Sequence, residues 1–274
     1  MDAIYSLKVE LHRVLRLLRW IREAPGYARP QPEATGMDVL VYRHQSPLVR
    51  DPSQAEAELQ AGKVQNLSLT VPRIDGTVVH PGQVFSLAFL AGKATGRAGF
   101  RPGLELRDGR MQPGIGGGRC QISNLLFWMA LHLGLEIVER HRHDYDLFPD
   151  ADRTLPFGSG ATFYWNYLDL QVRNPHPFPI RLHLKLTDTH LVGEAYAPRP
   201  LPYEVRVVET DHRFYREGGV VWRENRLWRE ALEPGSARLL WRELVAENRC
   251  RVLYAVPDAL LADERAVPRE QELA

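Results

Sequence analysis

Between Gly116 and Gly134 the chain reads GGGRCQISNLLFWMALHLG, and no other stretch restricts the fold so strongly. Ile122, Leu125, Leu126, Met129 and Leu133 recur at helical spacing, and Gly134 stands where a left-handed C-terminal cap belongs. Phe127, Trp128, Ala130 and Leu131 fill much of the remaining circumference. A helix that is apolar on most sides is buried on most sides, so other layers must surround it. The three glycines ahead of it are costly to order, which implies positive φ angles or backbone packed closely against another group. They deliver Cys120, one of only two cysteines, to the start of the helix.

The rest of the composition narrows the class. A chain of 274 residues with 44% hydrophobic content holds one large domain or two modest ones. With 35 Lys and Arg against 34 Asp and Glu, nothing in the overall charge points to nucleic acid. Cys120 and Cys250 are far apart and form no CxxC or zinc-finger spacing, so a reducing compartment is the simpler expectation. Lys8, Arg13, Arg16, Arg19 and Arg22 interrupt the N-terminal apolar residues, unlike the core of a signal peptide, and no run approaches a membrane span. The expectation is a cytoplasmic protein. Ile4, Leu7, Leu11, Val14, Leu15, Leu18 and Ile21 nevertheless make an apolar stripe with arginines beside it. Such a helix packs its stripe on its own domain, the commoner outcome, or lies peripherally on an anionic membrane through residues 1–24.

Further along, strand signals occur at Val39–Tyr42, a helix is expected around Gln54–Gly62, and turns at Asp75-Gly76 and Pro81-Gly82. Leu135–Arg140 reads as a strand, Phe148–Gly160 as turn-rich, and Ala161–Val172 as a long aromatic strand. Ile180, Leu182, Leu184 and Leu186 alternate with polar residues, as in a half-buried antiparallel strand. Strand-like runs at Tyr203–Val208, Val220–Arg229 and Arg249–Val256 are separated by Gly218-Gly219 and Pro234-Gly235. These signals predict an α+β fold in which a buried central helix packs on a mainly antiparallel sheet, with an N-terminal amphipathic helix and additional C-terminal strands. The corresponding segments are 1–34 (helix and Pro-rich linker), 35–200 (core domain), 201–258 (β extension) and 259–274 (a flexible tail).

PGQVFS at 81–86, GIGGGRCQISNLLFW at 114–128, GLEIVERHRH at 134–143, PFGSGAT at 156–162 and YLDLQVRN at 167–174 closely resemble, in this order and spacing, the VanW family. The resemblance spans about residues 35 to 196. The family takes its name from an accessory protein of vancomycin B-type resistance clusters, so the resemblance implies a role in glycopeptide resistance or cell-envelope response without supplying a reaction. Members with export signals and extracytoplasmic domains exist, and this chain resembles the short form.

The residues suggest a chemistry of their own. A thiolate needs a positive environment, and Cys120 would have the helix N-terminus and the neighbouring Arg119. If Leu135 to His143 is one strand, Glu139, His141 and His143 share the inward face with Leu135 and Ile137. The same parity groups Asp169 with Phe163, Trp165 and Tyr167 in the aromatic strand. Cysteine at a helix N-terminus, histidine on a later strand and a carboxylate on another is the layout of papain-like and transglutaminase-like sites. The candidates are Cys120 as nucleophile, His143 or His141 as base, Asp169 as its orienting acid, Gln121 or the glycine N–H groups as oxyanion hole, and Glu139 as a further inward-facing site residue. The family resemblance favours His143. The reaction would be hydrolysis or transfer at an amide or ester of a peptidoglycan-related substrate.

Blander roles compete with these. Free cysteine is usually a small core hydrophobe, and paired polar residues at strand ends are usually satisfied rather than catalytic. In the binding alternative, Gly116, Gly117, Gly118 and Arg119 hold a small anionic ligand, a phosphate or carboxylate such as a cell-wall precursor carries. The loop lacks the Gly-Lys-Ser/Thr ending of a P-loop and does not follow GxGxxG, so no nucleotide cofactor is implied. His141-x-His143 with Glu139 is a weak zinc-type spacing, and no metal is assigned to it.

Overall fold

The structure, a computed structural model, describes residues 3–49, 57–107, 110–147, 149 and 154–262. It is an α+β protein. The apolar run after the glycines forms a helix, Cys120–His132, numbered α4 after three N-terminal to it: α1 (Ala3–Glu23), α2 (Ala57–Thr70) and α3 (Leu87–Ala91). Nine of the residues of α4 are buried, among them Phe127, Trp128 and Leu131 on its back. Gly134 follows with φ +66° and donates to Leu131 O at 3.2 Å, closing the helix as its position in the sequence implies.

Three sheets surround this helix. The first is wholly antiparallel, in the order β1 (Arg29–Pro30), β3 (Thr77–Val79), β10 (Ile180–Leu186), β11 (His190–Ala197), β2 (Val39–Pro47). Strand β10 alternates as its sequence does, with Ile180, Leu182 and Leu184 buried. Gly193 of β11 lies directly beneath α4, where a Cβ would meet Met129 Sδ at 2.4 Å and Leu125 Cδ2 at 2.7 Å, so the missing side chain sets how closely helix and sheet approach. A small sheet of β4 (Val84–Ser86), β9 (Gln171–Arg173) and β7 (Glu136–Glu139) covers another side of the core through Phe85 and Val172. The third sheet runs β15 (Leu261–Ala262), β12 (Glu204–Glu217), β13 (Val220–Leu232), β14 (Leu239–Val252), β8 (Tyr145–Asp146). From β13, Arg229 reaches the C-terminus of α4 and donates to the carbonyls of Leu135 at 2.8 Å and Leu131 at 3.4 Å. A guanidinium there satisfies orphan carbonyls and opposes the negative end of the helix dipole. The hairpin of β5 (Pro102–Arg107) and β6 (Arg110–Ile115) leads into the glycine run.

Several expectations require correction. Residues 161–172 are not one long strand: they form isolated bridges at Thr162 and at Tyr164–Leu168, with only β9 regular. Asn166, at φ +50°, turns the chain back so that Tyr164 and Leu168 pair, a conformation that asparagine tolerates. Residues 135–143 are not one strand either, because β7 ends at Glu139 after a register shift between Ile137 and Glu139. Both parity arguments rested on continuous strands and lose that footing. The C-terminal strands are longer than their sequence signals, 14, 13 and 14 residues, and the last lies earlier than expected, at Leu239–Val252, because paired long strands tolerate the charged residues that interrupt them. The expected helix at Gln54–Gly62 begins at Ala57, with residues 51–56 outside the described residues. The expected tail at 259–274 falls largely there too, residues 263–274 lying outside, while β15 pairs in parallel with β12.

The largest surprise is α1. Its stripe does not face the domain: Leu11, Val14, Leu15, Leu18 and Ile21 are all more than half exposed, Ile21 at 76%. The opposite side docks instead. Trp20 is buried and packs edge-on against Phe89 at 5.6 Å. Arg16 grips Glu139 with both terminal nitrogens and donates to Tyr167 O at 3.1 Å.

Candidate functional site

The glycine run owes its sequence to backbone crowding. Gly116 and Gly118 have φ of +83° and +85°. Between them, a Cβ on Gly117 would meet Gly103 O at 2.1 Å. Asn66, wholly buried on α2, donates to Gly117 O and Arg101 O, both at 2.9 Å, and fixes the loop against β5. The N–H of Gly116 donates to Arg101 O and that of Gly117 to Gly114 O. Two of the donors proposed for an anion are therefore engaged within the fold. Arg119 is likewise held: it donates to Gly116 O and Gly92 O, each at 3.2 Å, and its guanidinium lies between the rings of Phe100 and Phe163 at 5.3 and 5.1 Å. Burial pulls its pKa down to about 10, which still leaves it cationic at neutral pH.

Cys120 is the first residue of α4 and keeps some exposure while packing against the core. Contrary to the expectation of an activated thiolate, burial pushes its pKa up, outweighing the favourable influence of the Phe163 backbone N–H, the charge of Arg119 and the Ser123 hydroxyl. The resting group is a neutral thiol. Gln121 points elsewhere: its amide nitrogen donates to Ser46 Oγ and Pro47 O, both at 2.8 Å, tying α4 to the end of β2.

Of the proposed acids, Asp169 is wholly buried and committed to α3. It accepts from Ser86 Oγ at 2.6 Å, Ala88 N at 2.7 Å and Gln171 Nε2 at 2.9 Å. Burial raises its pKa despite those three donors, and its partners include no histidine. Glu139 serves the docking of α1, accepting from Arg16, from His141 Nε2 at 2.9 Å and from Asp169 N at 3.1 Å. Burial opposes its charge, but the hydrogen bonds from His141 and Arg16 prevail and hold its pKa at about 2.

The two histidines have separate surroundings. His141 bridges Thr162 through the backbone and turns its ring to Glu139. The ring of His143 meets Thr162, with Nδ1 2.9 Å from Oγ1. Burial lowers the pKa of His143, with help from the charge of Arg140, so the imidazole is neutral at pH 7. Among the described residues no group of three His, Cys, Asp or Glu converges as a metal site would require.

What joins cysteine and histidine is a short extended segment, residues 160–163. The backbone N–H of Phe163 favours the thiolate of Cys120, the N–H of Ala161 donates to Asn124 Oδ1 at 2.9 Å one helical turn further on, and Thr162 holds His143. A Cβ on Gly160 would come within 2.7 Å of Asn124 Oδ1 and 3.6 Å of His143 Cδ2, so this glycine leaves open the space between α4 and the imidazole. Cys120 and His143 thus flank one segment, although no hydrogen bond joins them among the described residues. Thr162 and Asn124 were not singled out in the sequence. Only their place inside PFGSGAT and GGGRCQISN hinted at them, because the His141–Thr162 pairing has no local signature.

On the far side of residues 140–144 a cleft of about 470 Å³ is lined by Arg140, His141, Arg142, Asp144, Tyr167, Leu168 and Glu247. It carries both signs of charge. Arg140 is anchored at its rim by Gly160 O at 3.0 Å and Asn248 Oδ1 at 3.1 Å.

Residues 62–196 match the family model described as "VanW like protein". The vancomycin B-type resistance protein VanW of Enterococcus faecalis is 27% identical over 201 residues, 73% of this chain and 73% of that protein. The uncharacterized protein YoaR of Bacillus subtilis is 32% identical over 123 residues, 44% of this chain and 38% of YoaR. No solved structure matches the chain.

Proposed function

Because this chain belongs to the VanW-like family, we propose that it serves a glycopeptide or cell-envelope response as a cysteine-dependent acyl hydrolase or transferase, with Cys120 as nucleophile and His143 as base. The observation that carries this reading is the segment at 160–163, whose Ala161 N–H donates to Asn124 of α4 one turn beyond Cys120 and whose Thr162 holds the His143 imidazole. Thr162 replaces Asp169 as the group that orients the base. With the Nδ1 proton donated to Thr162, Nε2 keeps the lone pair that accepts a proton.

A neutral thiol beside a neutral imidazole suits general-base chemistry rather than a resting ion pair. As the sulfur attacks an amide or ester carbonyl, its proton passes to His143 and the carbonyl oxygen becomes an oxyanion. Collapse of that intermediate expels the amine or alcohol, which takes the proton back from His143, and leaves a thioester on Cys120. Water or an acceptor amine then releases the acyl group. The substrate class this reading requires is a peptide carrying an amide or ester, as peptidoglycan stem peptides do. Binding of such a substrate supplies the closure that brings sulfur and imidazole into contact.

Incubation with muropeptide fragments followed by intact-mass analysis tests this. An acyl adduct is expected on the unaltered protein and absent from Cys120→Ser. No adduct and no turnover of any stem-peptide amide or ester in the unaltered protein would overturn the proposal.

A further inference from the structure

Helix α1 sits on the domain with its usual polarity reversed. Its inward side is made of Arg16, bound to Glu139, and the buried Trp20, so the helix is held as a rigid part of the molecule. Its outward side presents Leu11, Val14, Leu15, Leu17, Leu18 and Ile21, each between 40% and 76% exposed. Scattered exposed leucines are ordinary, but six on one side of three helical turns form a contiguous apolar face.

The charge around this face is distinctive. Residues 3–23 hold five of the chain's 35 basic residues and two of its 34 acidic ones, leaving 30 basic against 32 acidic elsewhere. The positive charge of a nearly neutral chain is therefore concentrated on α1. Arg22 is 80% exposed and pairs with Glu23, and Arg13, 43% exposed, pairs with Glu10; phosphates would compete with these exposed carboxylates for the guanidinium groups. No helix among the described residues is long and apolar enough to cross a membrane.

We propose that α1 docks the protein on an anionic lipid surface, its leucine face inserted in the interface and its arginines among the headgroups. Apolar insertion and cationic attraction are the two components of such binding. The helix is already folded and anchored, so no ordering cost opposes docking.

Co-sedimentation of the full chain with vesicles of phosphatidylcholine containing one-third phosphatidylglycerol tests the proposal against vesicles of phosphatidylcholine alone. Binding to the anionic vesicles is expected, about tenfold or more weaker on neutral vesicles or in high salt. The double variant Leu15→Ser/Leu18→Ser should lose about tenfold or more in affinity while keeping its far-UV circular dichroism, since both side chains point away from the domain. The single variant Arg22→Gln should bind more weakly in low salt and equally in high salt. Failure of the unaltered protein to bind either vesicle would overturn the proposal. So would a dimer in solution that Leu15→Ser/Leu18→Ser converts to monomer without any vesicle binding, which would make a second copy the occupant of the face.

Discussion

Replacing Glu139 with glutamine tests how α1 is fixed to the domain. The carboxylate is only 13% exposed and the Arg16 guanidinium 10%, so neither is well hydrated when its partner is lost. The amide of glutamine would leave Arg16 facing a neutral group, and removing one member of a buried ion pair costs about 3–5 kcal/mol. An independent route gives a similar figure. A drop from 4.5 to about 2 in the Glu139 pKa corresponds to about 3 kcal/mol of native-state stabilisation at neutral pH. The sign follows from the direction of that drop. Because the folded protein holds the proton more weakly than the unfolded chain, the stabilisation is complete above about 4.5 and fades as the pH falls toward about 2. Urea unfolding of the unaltered protein and Glu139→Gln at pH 7 should differ by about 3 kcal/mol, and by less than half of that at pH 3. A difference below about 1 kcal/mol at pH 7, or one that does not change between pH 7 and pH 3, would refute the reasoning.

Three further outcomes follow from the packing. Gly117→Ala should destabilise by about 3 kcal/mol in the same assay, because the new methyl meets backbone of Gly103 that cannot swing aside; a loss under about 1 kcal/mol would contradict the contact. Arg229→Met should cost about 1–3 kcal/mol through the Leu135 carbonyl left without this donor, and a neutral result would show that water replaces it. Alkylation of Cys120 by chloroacetamide should be slower at pH 7 than that of a free cysteine and accelerate only as the pH passes above 9, since burial keeps the thiol protonated; a rate at pH 7 matching or exceeding the free amino acid would contradict a neutral resting thiol.

Much of the fold is legible where one residue pattern answers to one physical demand. The apolar circumference of residues 122–133 could only be buried, and the alternation of Ile180, Leu182 and Leu184 could only face a core. The glycines at 116–118 announced positive φ and close backbone approach, and both occur. The site was harder to read because strand parity works only while a strand stays regular. The register shift before Glu139 and the left-handed Asn166 are each a single-residue event without a strong local signal, yet together they turn Asp169 toward Ser86 and Glu139 toward Arg16. Helix α1 misled for a different reason. Its leucine stripe has the periodicity of a core-facing helix, whereas Arg16 and Trp20 find their partners in Glu139, Phe89 and Trp165, residues remote in sequence. Activation of Cys120 was argued from position alone, and position says nothing of the desolvation that raises its pKa.

The claim that Cys120 and His143 act as one site is tested most directly by the rate of acyl-adduct formation on Cys120 in His143→Gln, measured by mass spectrometry in a single turnover with muropeptide fragments. A general base contributes about 10²–10⁴-fold, so the account predicts a loss of at least about 100-fold with cooperative unfolding preserved. An unchanged rate in His143→Gln would show that the imidazole takes no part and would contradict the account.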